Sequence, residues 1–372
     1  MRALIRALVF CCAVASTGNA IARTPSPSPA AGVEVGVLEG AAWRLDMPEK
    51  WNHGLIVFFH GYATEAIAFN DKQRVSPMFD PMLREGFAVL QSAYSAPGWA
   101  VEEGSADSER LRRWFVARHG KPQRTFAMGM SMGGTLTVMA LETQPQVYDG
   151  GLSLCGALEP SDRLMQRDFA LRAAFDYWFP DVFGTLVPVD AAYQPTNGVV
   201  AKVAAAMRAN PQASASLRAL YGAGDARSLA DVIAFITYDI KEMQQRAHGN
   251  PFGNEDMIYT GPPDVDALND GVRRYRAEPK AAAYMARWYT PSGKLLKPLL
   301  ALHDTRDPLV VASTAFEYAL LAQRAGHADQ FVQQYVKAEG HCVFTPAQIG
   351  KAFDELVAWS GGGKRPQAGP QR

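Results

Sequence analysis

The sequence has no surplus of charge, few cysteines and no long apolar run in its interior. Its 372 residues carry 37 Lys plus Arg against 37 Asp plus Glu, a formal net charge of zero. That leaves no basic field for nucleic acid and no acidic tail for a basic partner. The four cysteines and seven histidines form no cluster with metal-like spacing, so no metal and no other cofactor is expected. Internal repeats are absent. The one run that resembles a membrane anchor, residues 7–16, follows Arg2 and Arg6 and precedes a string of small residues. Roughly ten apolar residues are too few to span a bilayer. In that order they read as a cleavable signal peptide over residues 1–22, and predict a secreted or periplasmic protein without a stable membrane anchor. Removing that leader leaves two thiols, Cys155 and Cys342. In an oxidising compartment they can pair and brace the loop around residue 341, or stay buried separately.

Apolar residues make up 48% of the chain, enough for a sizeable core. Residues 23–32 are a proline-rich spacer and 361–372 a glycine-rich stretch that reads as a flexible tail. Between them, residues 33–37 and 42–47 alternate like hairpin strands. Continuous apolar runs follow at 55–59, 87–93, 125–128, 152–155, 298–302 and 331–336, as in strands covered on both faces. Helical spacing occupies 108–118, 135–142, 312–325 and 346–359. Strands alternating with helices predict an α/β fold with a mostly parallel sheet and right-handed crossovers. One interval, 159–297, breaks the rhythm: helical patterns at 199–209, 213–221, 228–246, 266–277 and 279–288, many aromatics, and no buried strand. The expected organisation is a core of residues 33–158 and 298–360, interrupted by a helical insertion at 159–297.

Four motifs carry chemistry. Gly129-Met130-Ser131-Met132-Gly133 lies between a buried-type strand and a helix. A serine on that sharp turn projects its hydroxyl, while glycines on either side leave room for neighbouring backbone. The helix amides behind it favour developing negative charge. His60-Gly61-Tyr62 ends the run at 55–59. The backbone N–H of Tyr62, with that of Met132, is the candidate oxyanion pair, and His60 reads as structural. In His303-Asp304-Thr305-Arg306-Asp307-Pro308, two carboxylates compete to orient an imidazole. Asp307 is preferred because it leads into the next helix, whereas Asp304 sits by the strand end and braces the loop. Glu339-Gly340-His341-Cys342 supplies that imidazole: His341 sits on a loop, after a glycine and after the acid.

The motifs His60-Gly61, Gly129 through Gly134, Asp304 through Pro308 and Gly340-His341, in that order, resemble the α/β-hydrolase superfamily from about residue 33 to 359. The resemblance implies an eight-stranded sheet with a lid inserted after the sixth strand, where 159–297 lies. It also implies a Ser131–His341–Asp307 triad working through an acyl-enzyme. Asp304 stands where many relatives have glycine, which leaves the choice of acid less fixed by the motif. The aromatics of the insertion and the methionines of the elbow point to an apolar substrate pocket, with Met130, Trp178 and Phe179 as its candidate lining. The expected activity is hydrolysis of a small-molecule carboxylic ester with an apolar or aromatic part. Lipase-like, polyester and peptidase activities are alternatives, as is a binding protein on the same scaffold.

Overall fold

The computed structural model describes residues 32–180, 182–221 and 226–371. The leader at 1–22 and the spacer up to residue 31 lie outside them. The hairpin forms from β1 (Gly32–Leu38) and β2 (Ala41–Met47), joined at Glu39-Gly40. Both turn residues have positive φ, 48° and 89°, the hairpin-turn geometry whose twist matches that of the strands. Next come β3 (Gly54–Phe59), α1 (Asp80–Arg84), β4 (Phe87–Ser92), α2 (Val101–His119), β5 (Arg124–Met130), α3 (Met132–Thr143) and β6 (Gly150–Leu154). Six helices follow with no strand among the described residues: α4 (Ser161–Trp178), α5 (Asn197–Ala209), α6 (Pro211–Tyr221), α7 (Ala226–Arg246), α8 (Val265–Gly271) and α9 (Pro279–Arg287). The chain then returns to the sheet with β7 (Leu299–Arg306), α10 (Ser313–Arg324), β8 (Phe331–Glu339), α11 (Pro346–Ser360) and β9 (Gly369–Pro370).

The strands form one sheet in the order β1-β2-β4-β3-β5-β6-β7-β8-β9. Pairings from β4 through β3 to β9 are parallel, and only those made by β2 are antiparallel. This is the α/β-hydrolase architecture. Helices cover both faces, which explains the unbroken apolar runs. In β5, Ala127 packs with Leu111, Phe115 and Leu136 of α2 and α3, whereas Phe126 and Met128 pack with Met82 of α1 and Phe353 of α11. Each such fully buried aliphatic or aromatic side chain contributes about 1.5–3 kcal/mol. Among the described residues, no helix is long and apolar enough to cross a membrane.

Three expectations need correction. The segment after residue 361 is not loose. Arg365 Nη2 donates to Phe331 O at 2.6 Å and Gln371 N to Tyr335 O at 2.9 Å, so β9 becomes a ninth strand on the edge of β8. The helix expected over 266–277 stops at Gly271, because Asn254 takes the backbone beyond it. Asn254 Nδ2 donates to Arg273 O at 3.0 Å, and its Oδ1 accepts from Tyr275 N at 2.7 Å. Helix α4 had no counterpart in the sequence reading. Its Asp168 and Arg172 are buried among apolar residues, which erases the amphipathic pattern.

Candidate active site

The site is built at the carboxyl ends of β3, β5, β6, β7 and β8. Ser131 follows β5 directly and has φ 54° and ψ −122°, outside the ordinary regions for a residue with a side chain. The glycines are what let the elbow exist. A Cβ on Gly129 would run into the carbonyl of Gly133, and one on Gly133 into the carbonyl of Phe59. The turn is pinned by Ser131 N donating to Leu154 O at 3.0 Å and Gly134 N to Ser131 O at 2.8 Å. Ser131 also precedes the first turn of α3, so the free amides of that turn face the site.

His341 Nδ1 lies 2.7 Å from Asp307 Oδ2. The other Asp307 oxygen accepts from Leu309 N at 2.9 Å and Val310 N at 3.0 Å. Burial alone would raise the Asp307 pKa. Hydrogen bonds from His303, His341 and Leu309 outweigh it and hold the carboxyl at about 2, so it is ionised. An ionised carboxylate only accepts, so His341 Nδ1 carries the hydrogen of that bond, which leaves Nε2 as the ring's other nitrogen toward the site. Asp304 does something else: its Oδ2 accepts from Val343 N at 3.1 Å, bracing the loop that carries His341. Burial pushes its pKa up, and the neighbouring Asp307 charge adds to the rise.

Cys342 is disulfide-bonded to Cys155, with a Cα–Cα distance of 5.3 Å. Cys155 directly follows β6, whose last residue accepts the Ser131 amide. The bond thus ties the His341 loop to the strand beside the elbow. His341 Nε2 faces Cys342 Sγ at 3.4 Å, and no hydrogen bond joins it to Ser131 Oγ among the described residues. Cys155, His341 and Cys342 bring ligand-type atoms within 4.8 Å of one another, but both sulfurs are spent in the disulfide and offer no thiolate to a metal.

The loop after β3 lies against the nucleophile: a Cβ on Gly61 would stand 3.2 Å from Ser131 Cβ. The amides of Tyr62 and Met132 donate to no protein acceptor among the described residues, so both remain available beside Ser131. His60 is a structural residue. Its Nδ1 contacts Gly61 O at 2.6 Å, its ring stacks on Tyr94 at 3.8 Å, and burial lowers its pKa. A histidine so held is poorly placed to exchange protons with a ligand.

A cavity of about 30 Å³ opens on Ser131. The core contributes Tyr62, Trp99, Ser131, Ala157, Leu309 and Val310, while α4 and α7 contribute Leu164, Met165, Asp168, Phe235 and Asp239. The expected pocket residues are elsewhere. Phe179 packs in a separate cluster between the helices with Phe175, Leu217 and Ile233. Trp178 donates its indole N–H to Asp264 at 3.0 Å. Met130 has the parity of Phe126 and Met128 on β5 and packs on the opposite face of the sheet from the cavity's helices. In their place stand two buried acids that composition alone did not single out. The available signal was position: Asp168 lies three residues after Met165 and three before Leu171, and Asp239 three after Ile236 and four before Met243. Both therefore sit on the apolar stripe of their helix.

No protein-family model matches the chain, and no curated protein matches it. Among solved structures, it is similar to a Paleococcus ferrophilus monoacylglycerol lipase, with 14% identity, a TM-score of 0.42, and coverage of 88% of this chain and 98% of that one. An esterase of Pyrococcus furiosus is 13% identical over 87% of each chain, with a TM-score of 0.43. An acylaminoacyl peptidase of Pyrococcus horikoshii is 11% identical over 83% of this chain, with a TM-score of 0.44. The present chain spans only 38% of that peptidase's length. Identities this low carry no residue assignments across.

Proposed function

We propose that this chain is a serine hydrolase that cleaves a carboxylic ester through an acyl-enzyme on Ser131. The observation that carries the reading is the ionised Asp307 bonded to His341, on a loop fastened by Cys155–Cys342 to the strand beside the Ser131 elbow. In the reaction, Ser131 Oγ attacks the ester carbonyl as His341 Nε2 takes its proton. The tetrahedral oxyanion is held by the amides of Tyr62 and Met132. His341 then returns the proton to the leaving alcohol. Water, deprotonated by the same Nε2, releases the acid and restores Ser131. Such a base contributes ~10²–10⁴-fold, and the oriented amides a similar factor.

The helices between β6 and β7 act as a lid in this reading. A cavity of about 30 Å³ holds one water-sized group, so an ester reaches Ser131 only when α4 and α7 draw back from the core. The N-terminal leader places the mature protein outside the cytoplasm, where the Cys155–Cys342 bond is stable. A fluorophosphonate probe tests the proposal. The wild-type protein is expected to be labelled and to hydrolyse 4-nitrophenyl esters, and Ser131→Ala to lose both while keeping its circular dichroism. A folded wild-type protein that neither reacts nor turns over would overturn it.

A further inference from the structure

Asp168 and Asp239 face the same cavity as Ser131, from two different helices. Both are almost completely buried, 4% and 2% exposed, and one carboxylate oxygen of each, Oδ1, has no hydrogen-bond partner. The nearby cations make no hydrogen bond to either acid among the described residues: Arg167, next to Asp168 in the chain, turns Nη1 to Glu159 at 3.3 Å, and its Nε and Nη2 are buried without partners. Arg246, two turns of α7 beyond Asp239, is bonded to Glu242 and to Glu103. The Tyr62 hydroxyl and the Trp99 indole N–H, on the opposite wall, are also buried without partners. Tyr221, whose hydroxyl donates to Pro308 O, Tyr238 and Glu242 are further titratable groups near the two acids.

A buried carboxylate oxygen without a partner carries a desolvation cost that a bound cation with N–H donors would offset. The rest of the wall says what would satisfy them. Tyr62, Trp99 and Phe235 present aromatic rings, whose faces attract cations. Apart from the Ser131 hydroxyl the remaining lining is apolar, which suits a ligand with one charged head on an otherwise apolar body. A protonated amine fits both requirements: three N–H donors for the two carboxylates, and a positive charge against the rings.

We propose that this cavity recognises a primary ammonium group on the substrate, held by Asp168 and Asp239, so that the enzyme's esters are cationic ones. The inference rests on the serine-hydrolase reading of Ser131. Burial raises the pKa of both acids, Asp168 to about 7, and the charges of Glu242 and then Asp168 push Asp239 further in the same direction.

The test compares esters that differ only in the amine, followed by titration of released acid at neutral pH. Methyl alaninate against methyl propanoate places the ammonium on the acyl side, and 2-aminoethyl acetate against propyl acetate places it on the alcohol. One cationic ester of the two pairs is expected to exceed its neutral partner in kcat/KM by at least about tenfold, the worth of one charge-assisted hydrogen bond. Asp168→Asn and Asp239→Asn are each expected to bring that ratio down about tenfold or more. In the wild-type protein, n-butylammonium is expected to slow fluorophosphonate labelling of Ser131 where n-butanol does not, which needs no variant to fold. Ratios near one for both pairs, or ratios the two variants leave unchanged, would refute the inference while labelling still upheld the hydrolase. Loss of labelling in the untreated wild-type protein would refute the hydrolase reading instead.

Discussion

Cys342 is bonded to Cys155 across 187 residues of sequence, and it stands next to His341. One covalent link therefore joins the end of β6, which holds the Ser131 amide, to the loop that carries His341. The link has two physical roles. It removes loop-closure entropy from the unfolded chain, and it limits where the imidazole can go.

Replacing both cysteines by serine is expected to lower stability by about 2–5 kcal/mol, as closing a loop of this length predicts. It is also expected to lower kcat more than it raises KM, because the base loses its station while the cavity walls remain. Urea denaturation and steady-state kinetics on one ester check both. An unchanged kcat would show that the bond serves stability alone.

Asp307→Asn is expected to reduce kcat/KM by about 10³–10⁴-fold, since the amide can hold the wrong tautomer of His341. Asp304→Asn is expected to cost much less, because an amide oxygen can still accept from Val343 N. Kinetics of the pair of variants decide which carboxylate orients the base.

The Asp168 carboxyl gives a stability prediction with a definite sign. Its folded pKa, about 7, lies above the ordinary value near 3.9. Between those values the folded protein binds more protons than the unfolded chain, so stability falls as pH rises through that window. Asp168→Asn removes the dependence. Its Tm is expected to exceed that of the parent by a few degrees at pH 8, with the gap closing as the pH is brought toward 4. A gap that stays constant with pH would show that Asp168 does not titrate in this range.

Gly133→Ala is expected to be more damaging than any exchange of Ser131 for a small residue. The new methyl meets the backbone of Phe59, which the parallel pairing of β3 and β5 cannot move. Thermal unfolding should show a loss of at least about 3 kcal/mol, in the range of severe strain and overpacking. Ser131→Ala, whose side chain already projects into the cavity, is expected to stay within about 1 kcal/mol of the parent.

How much of this was legible in the sequence follows from what each element buries. The strands were, because a strand covered on both faces can only be an unbroken apolar run, as at Leu55 through Phe59. The elbow was, because the crowding of Gly129 and Gly133 admits no other residue type. The long helix Ser161–Trp178 was not. Asp168 and Arg172 look like surface residues in a string of letters, and only the structure shows Arg172 fully buried, with its Nε donating to Thr237 Oγ1 at 2.9 Å. The same blindness affected the pocket. Aromatics such as Trp178 and Phe179 attract attention, yet they fill the space between helices, while the distinctive walls of the cavity are two acids. Spacing puts both acids on an apolar stripe, but their residue type argues for the surface, and only the fold shows which of the two wins.

The short strand Gly369–Pro370 has a consequence outside catalysis. A parallel strand at the margin of a sheet exposes a row of unsatisfied amides and carbonyls, the template on which other chains polymerise. Here the last stretch of the chain occupies part of that row, with Gln334 Nε2 donating to Gln367 O and the backbone of Gln371 to Tyr335. Clipping the chain after the α11 helix would leave the chemistry at Ser131 intact and free the margin of β8. The damage would then surface as turbidity and self-association on concentration, a colloidal failure in a protein whose Ser131 site is unchanged.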